Sequence, residues 1–183
     1  GGRATLTIPK APYRCPPGPY ERACVLAAWV RGNKPRGKLI VLIDHTLYPK
    51  DKLNVDTEYK LELNIYDPRK HKWVERRELQ FPGQRTPAMS FTFPIKTRSG
   101  RLLFAGMRKT VDADGKAIHF GKTWAPVDEA VTVIGEYGVH GELSWRLGQP
   151  LNIAPELSSR GLDENTLTQL ADGRIAAVCR GDN

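Results

Sequence analysis

The first 44 residues constrain the fold of this chain most. Ala4-Thr5-Leu6-Thr7-Ile8 reads as a strand. Val25, Leu26, Ala28 and Trp29 mark the apolar positions of a helix, and Lys38-Leu39-Ile40-Val41-Leu42-Ile43 is a second, buried strand that ends at Asp44. Strand, helix and strand over so short a span make a βαβ unit, because parallel strands need a crossover and a helix is its usual form. The segment YRCPPGPYERAC (13–24) leads into the helix. Prolines are tolerated in a first helical turn, whose N–H groups have no intrahelical partner. The amides that remain free there can face an anion.

HTLYPKDKLNVDT (45–57) changes character. It holds Pro49, the charged run Lys50-Asp51-Lys52 and no regular period, so it reads as a linker. The expected organisation is a βαβ segment over 1–44, a junction over 45–57 and a β region over 58–183. From Tyr59 onward, alternating apolar residues and turn signals recur. Leu61, Leu63 and Ile65 share one face before the Asp67-Pro68 turn, and Trp73-Val74 open the return strand to Leu79. Phe91 and Phe93 mark a strand ending at Pro94, and Arg101–Met107 follows the Ser99-Gly100 turn. Asp112-Ala113-Asp114-Gly115 is another turn, and 130–137 with 142–147 make a hairpin. The spacing predicts about eight or nine strands in this region. The fold class is therefore mainly β with a small α/β element.

The last 26 residues, SSRGLDENTLTQLADGRIAAVCRGDN (158–183), form the sharpest hairpin signal. Asp172-Gly173 lies between the apolar positions Leu167, Leu170 and Ile175, Ala177, Cys179. Such a hairpin carries Glu164, just before its first strand, and Arg180, at the end of its second, to one end of a sheet. Arginine grips carboxylates with a two-pronged fork, so the pair suits an anionic, oxygen-rich ligand. It equally suits two surface charges at strand ends. Asp112, Asp114, Asp128 and Glu129 are candidate acids by residue type alone, and each also fits a turn or surface role.

Composition narrows the function classes. A formal net charge of +8 over 183 residues favours anionic partners. The basic residues are scattered, with only short clusters such as Arg69-Lys70-His71-Lys72, and no zinc-finger spacing or basic helix occurs, so nucleic acid is not expected. No apolar run approaches the roughly 20 residues that cross a bilayer. No signal peptide stands at the start. The three cysteines, Cys15, Cys24 and Cys179, form no C-x-x-C pair, a Cys15–Cys24 bridge stays open, and no metal-ligand cluster is present.

Two resemblances add to this. The RCPPGPYE motif and its surroundings in residues 1–44 resemble the flavin-binding subunit of flavocytochrome c sulfide dehydrogenase. That resemblance implies a redox role for Cys15, as half of a disulfide near a flavin, and FAD as cofactor. The partner cysteine, the first dinucleotide-binding glycine motif and the flavin-attachment region have no counterpart here. LELNIYDPRKHKW (61–73), RSGRLLFAG (98–106), VTVIGEYGVHGELSWRLG (131–148) and the closing hairpin resemble part of a sialidase, a BNR-repeat β-propeller. That resemblance implies about two incomplete blades, Glu164 as a catalytic glutamate and Arg180 as a substrate-binding arginine for sialic acid-type sugars. Propellers close with about four to eight blades, so two would leave open edges that a second copy could cover. The expected function is a sialidase-like glycoside hydrolase fragment with little activity alone and no cofactor. The alternatives are a flavin-dependent sulfide dehydrogenase-like fragment, or a chimeric structural protein. Both resemblances imply a periplasmic or secreted setting.

Overall fold

The structure, a computed structural model, describes residues 4–9, 18–33, 36–47, 58–90, 92–121 and 126–182. They fall into two compact units. The first holds β1 (Ala4–Pro9), α1 (Gly18–Asn33), β2 (Leu39–Leu47) as far as Thr46, β3 (Glu58–Asp67) from Lys60 onward and β4 (Lys72–Leu79). Its sheet has the order β1-β2-β3-β4. β1 and β2 are parallel, in register from Ala4↔Leu39 to Pro9↔Asp44, with α1 between them in the chain, so the expected βαβ unit is present.

β2 is interior, hydrogen-bonded on both edges, and Leu39, Ile40, Val41 and Leu42 are each at most 2% exposed. A strand buried on both faces reads as a continuous apolar run, which is what Leu-Ile-Val-Leu-Ile supplies. Leu26 and Ala27 of α1 pack with Ile43 against the cluster of Leu39, Val41 and Tyr66, and Val30 is 2% exposed. Positions 26, 27 and 30 lie on one stripe of a helix. Val25 and Trp29, expected on the buried face, lie on the other stripe and are 67% and 49% exposed. The helix ends where the Asn33 amide donates to the Trp29 carbonyl, with Arg31 in the last turn, both favourable at a C-terminus.

The β3–β4 hairpin turns on Asp67. Its Oδ1 accepts from the Arg69 amide at 2.9 Å, and the Lys70 amide donates to its carbonyl. Burial raises the Asp67 carboxyl, but the Arg69 and Lys70 hydrogen bonds and the Arg69 charge outweigh it and hold it below the usual range. This hairpin joins β2 in a sheet containing both parallel and antiparallel pairs. It is not the start of an antiparallel blade with the strands that follow, so the propeller arrangement is not what forms. The physical reason is the unfilled edge of β2, which β3 occupies.

The second unit holds β5 (Ala88–Met89), β6 (Ile95–Lys96), β7 (Leu102–Lys109), β8 (Asp128–Tyr137), β9 (Leu143–Leu147), β10 (Asp163–Gln169) and β11 (Ile175–Arg180). β5 and β6 pair with successive parts of β7, and β7-β8-β9 run antiparallel in a five-stranded open sheet. Where Phe91 and Phe93 suggested one strand, Thr92–Pro94 is irregular and Phe93 is 87% exposed. Trp145 lies against Phe104, ring centres 5.6 Å apart, and opposite Gly135. A Cβ at Gly135 would sit 2.8 Å from the indole, so only glycine leaves room for it.

The β10–β11 hairpin forms a two-stranded sheet, as its Asp-Gly turn predicts. Leu167 packs with Leu103 and Ala105 of β7. The tie between the sheets is polar. Asn165, 2% exposed, accepts from the Ser90 hydroxyl at 2.6 Å and donates to the Gly106 carbonyl at 2.6 Å. Replacing Asn165 with Ala leaves the Ser90 hydroxyl without the acceptor it has here and removes the second tie to Gly106, so the expected loss is about 1–3 kcal/mol. Chemical denaturation of N165A checks this, and an unchanged midpoint would contradict it.

Candidate functional site

Glu164 and Arg180 come together as the hairpin geometry predicts. Glu164 stands inside β10 rather than before it. A bulge between Asp163 and Thr166 places it there with a left-handed backbone, φ 42°. The Arg180 Nη1 lies 3.2 Å from the Glu164 Oε2, and both side chains are about half exposed, 49% and 51%. Arg180 also pairs with Asp182 through Nε at 2.9 Å. The hydrogen bonds to Glu164 and Asp182 push the guanidinium pKa up further. Arg160 in turn holds Asp182 and Asp163 at 3.2 and 3.1 Å. Two arginines here face three carboxylates, so the cluster is already neutralised and slightly acidic. An anionic sugar would have to displace carboxylates of the chain itself. The sialic acid-type partner is not supported by this geometry.

Cys15 lies outside the described residues. Cys24 falls on α1, and its side chain lies outside them as well. Cys179 is a free thiol among the described residues, and burial pushes its pKa up, which makes it a poor nucleophile. Among the described residues no group of His, Cys, Asp and Glu is arranged to hold a metal ion, and no helix is long and apolar enough to cross a membrane.

Asp128 and Glu129 are buried, at 3% and 8% exposure, and paired. In the β7–β8 register Arg108 stands opposite Glu129 and Lys109 opposite Asp128. The Arg108 Nε donates to the Glu129 Oε1, and the Lys109 ammonium lies 2.7 Å from the Asp128 Oδ2. Opposite charges facing each other across two strands stabilise that register. Burial raises the Asp128 carboxyl, and the attraction of Lys109 only partly offsets it. Asp112 accepts from the Asp114 and Lys116 amides and shapes a turn. Beside the charged strand ends, Arg85, Arg108, Lys109, Thr110 and Glu129 line a cavity of about 210 Å³. Nothing in the sequence singled out Arg85, Arg108 or Thr110. The available signal was an Arg-Lys pair closing one apolar strand and an Asp-Glu pair opening the next.

Residues 1–81 match the family model of the sulfide dehydrogenase [flavocytochrome c] flavoprotein chain, central part. No solved structure matches the chain. The match runs through LELNIYDPRKHKW, the stretch that resembles a sialidase blade, and ends just after β4, the last strand of the first sheet. It points to a flavoprotein sulfide dehydrogenase segment and not to a sialidase, a BNR repeat or any glycoside hydrolase. The sialidase reading and its carbohydrate ligand are therefore withdrawn. The supporting physical facts are the β3 pairing to β2 and the neutralised Arg180.

The raised Asp128 carboxyl gives a signed pH effect. The folded state holds its proton more tightly than the unfolded chain, whose ordinary value is 3.8. Its contribution to stability is thus full below that value and lost as pH rises through the raised one. Asp67 and Glu136, both lowered, act in the opposite sense, so the difference between wild type and D128N isolates the effect. Thermal melts from acid to neutral pH should show the wild type losing stability relative to D128N as pH rises. A difference independent of pH would contradict the assignment.

Proposed function

We propose that residues 1–81 act as the thiol-bearing central segment of a flavin-linked, sulfide-oxidising flavoprotein. The observation that carries this is the coincidence of the parallel β1-α1-β2 unit, the RCPPGPYE crossover and the family match over one stretch. The residues do not fit a phosphate cradle for the flavin dinucleotide. α1 begins at Gly18, and Pro16, Pro17 and Pro19 around that start remove backbone donors that a diphosphate would need. In this reading FAD is held by parts of the flavoprotein other than these residues, and the contribution of this chain is Cys15.

Cys15 stands three residues before the first residue of α1. The positive end of a helix dipole stabilises a thiolate, and the thiolate is the form that exchanges with sulfur. The test is the pH dependence of Cys15 alkylation in a chain carrying Cys24→Ser and Cys179→Ser. The expected inflection lies below the roughly 8.5 of a free thiol. An inflection at or above that value would overturn the redox reading and leave Cys15 as an ordinary loop thiol. Cys179, restored alone, should react slowly at neutral pH because burial raises its thiol.

A further inference from the structure

The second unit carries a built, cationic recess that the thiol chemistry does not use. The turn closed by the Gln84 amide on the Phe81 carbonyl, with Gly83 at φ 72°, brings Arg85 beside the end of β7. The two arginines cross-brace the turn and the strand end. Arg85 Nη1 donates to the Lys109 carbonyl at 3.0 Å, and Arg108 Nη1 donates to the Arg85 carbonyl at 3.0 Å. Among the described residues, with Nε of Arg108 on Glu129, its Nη2 has no hydrogen-bond partner, and neither do Nε and Nη2 of Arg85. Arg85 makes no ion pair with any described carboxylate. The Glu129 charge is engaged on both oxygens, by Arg108 and by the Asn152 amide, and the Lys109 ammonium is engaged by Asp128.

Thr110 supplies the independent sign of a ligand. Its backbone is satisfied, the amide donating to Val127 and the carbonyl accepting from Ile118. Its hydroxyl oxygen is buried without a hydrogen-bond partner. Buried polar groups are satisfied as a rule, and this orphan hydroxyl belongs to a residue that lines the recess together with the two arginines. The volume of about 210 Å³ is below the roughly 300 Å³ at which pockets for drug-sized ligands begin.

We propose that this recess binds a small tetrahedral oxyanion, phosphate or sulfate, free or as the terminal group of a small molecule. The free donors of Arg85 and Arg108 take its oxygens, and the Thr110 hydroxyl donates to a further one. The proposal rests on residues outside the 1–81 match and stands apart from the Cys15 reading.

The test is calorimetric titration of the full chain with inorganic phosphate, sulfate and glycerol phosphate, against R85M, R85K and T110V, each verified as folded by thermal melting. Saturable binding is expected, weakened about tenfold or more in R85M and severalfold in T110V. R85K, which keeps the charge but loses the fork, should fall between wild type and R85M. Tighter binding of glycerol phosphate than of inorganic phosphate would assign the carried form, and equal binding the free anion. Absence of saturation, or affinity unchanged in folded R85M and T110V, would overturn the proposal. If R85M fails to fold, the same criterion applies to R85K and T110V.

Discussion

Strand β2 is the constraint on which the first unit depends. It is hydrogen-bonded on both edges and buried on both faces, so its neighbours are set by what it needs covered. One edge takes β1, and a parallel neighbour forces the crossover helix that packs Leu26 and Ala27 onto Leu39 and Val41. The other edge takes β3, which brings the β4 return strand with it. An unpaired edge of so apolar a strand would expose a row of backbone donors and acceptors ready for another chain. The start of α1 at Gly18 therefore follows, in the chain, a strand whose place is fixed by that pairing.

The second unit uses a different device. β7 and β8 are apolar through most of their length and close on two facing ion pairs, Arg108–Glu129 and Lys109–Asp128. A slip of one residue would set each charge opposite the wrong partner and turn the apolar faces outward. Removing one member of a buried pair is costly, because the survivor is left charged and desolvated. The same strand ends that hold register also gather cations at the mouth of a recess. The hairpin β10–β11 is tied on through Asn165, a polar anchor whose two bonds fix one docking position where Leu167 alone would fix only burial.

Much of the local structure was legible in the sequence. The continuous apolar run of β2, the Asp-Pro and Asp-Gly turns and the alternation in β3, β8 and β11 each have a short-range physical cause. Long-range pairing was not legible. Leu61, Leu63 and Ile65 say that β3 has a buried face, but nothing in them says that its edge meets β2 rather than a later strand. That gap let a resemblance to propeller blades stand for residues 61–73. The helix face was legible only in part: Leu26 packs on the sheet as its apolar character suggests, together with Ala27, and Val30 is buried, but Val25 and Trp29, apolar and correctly spaced, are exposed. Glu164 and Arg180 were brought together as expected, yet their chemistry was not visible, because Asp182, Asp163 and Arg160 complete the cluster from other turns. Arg85 and Thr110 escaped notice for the same reason.

The membership of β3 and β4 in the βαβ sheet is the central claim, and native-state hydrogen exchange tests it most directly. The account predicts that the amides of Leu39–Leu42 and of Leu61–Ile65 exchange with one common opening free energy and respond together to denaturant, as parts of one cooperative sheet. Exchange in which the amides of β3 and β4 open while β2 stays protected, or follow β7 and β8 instead, would contradict it.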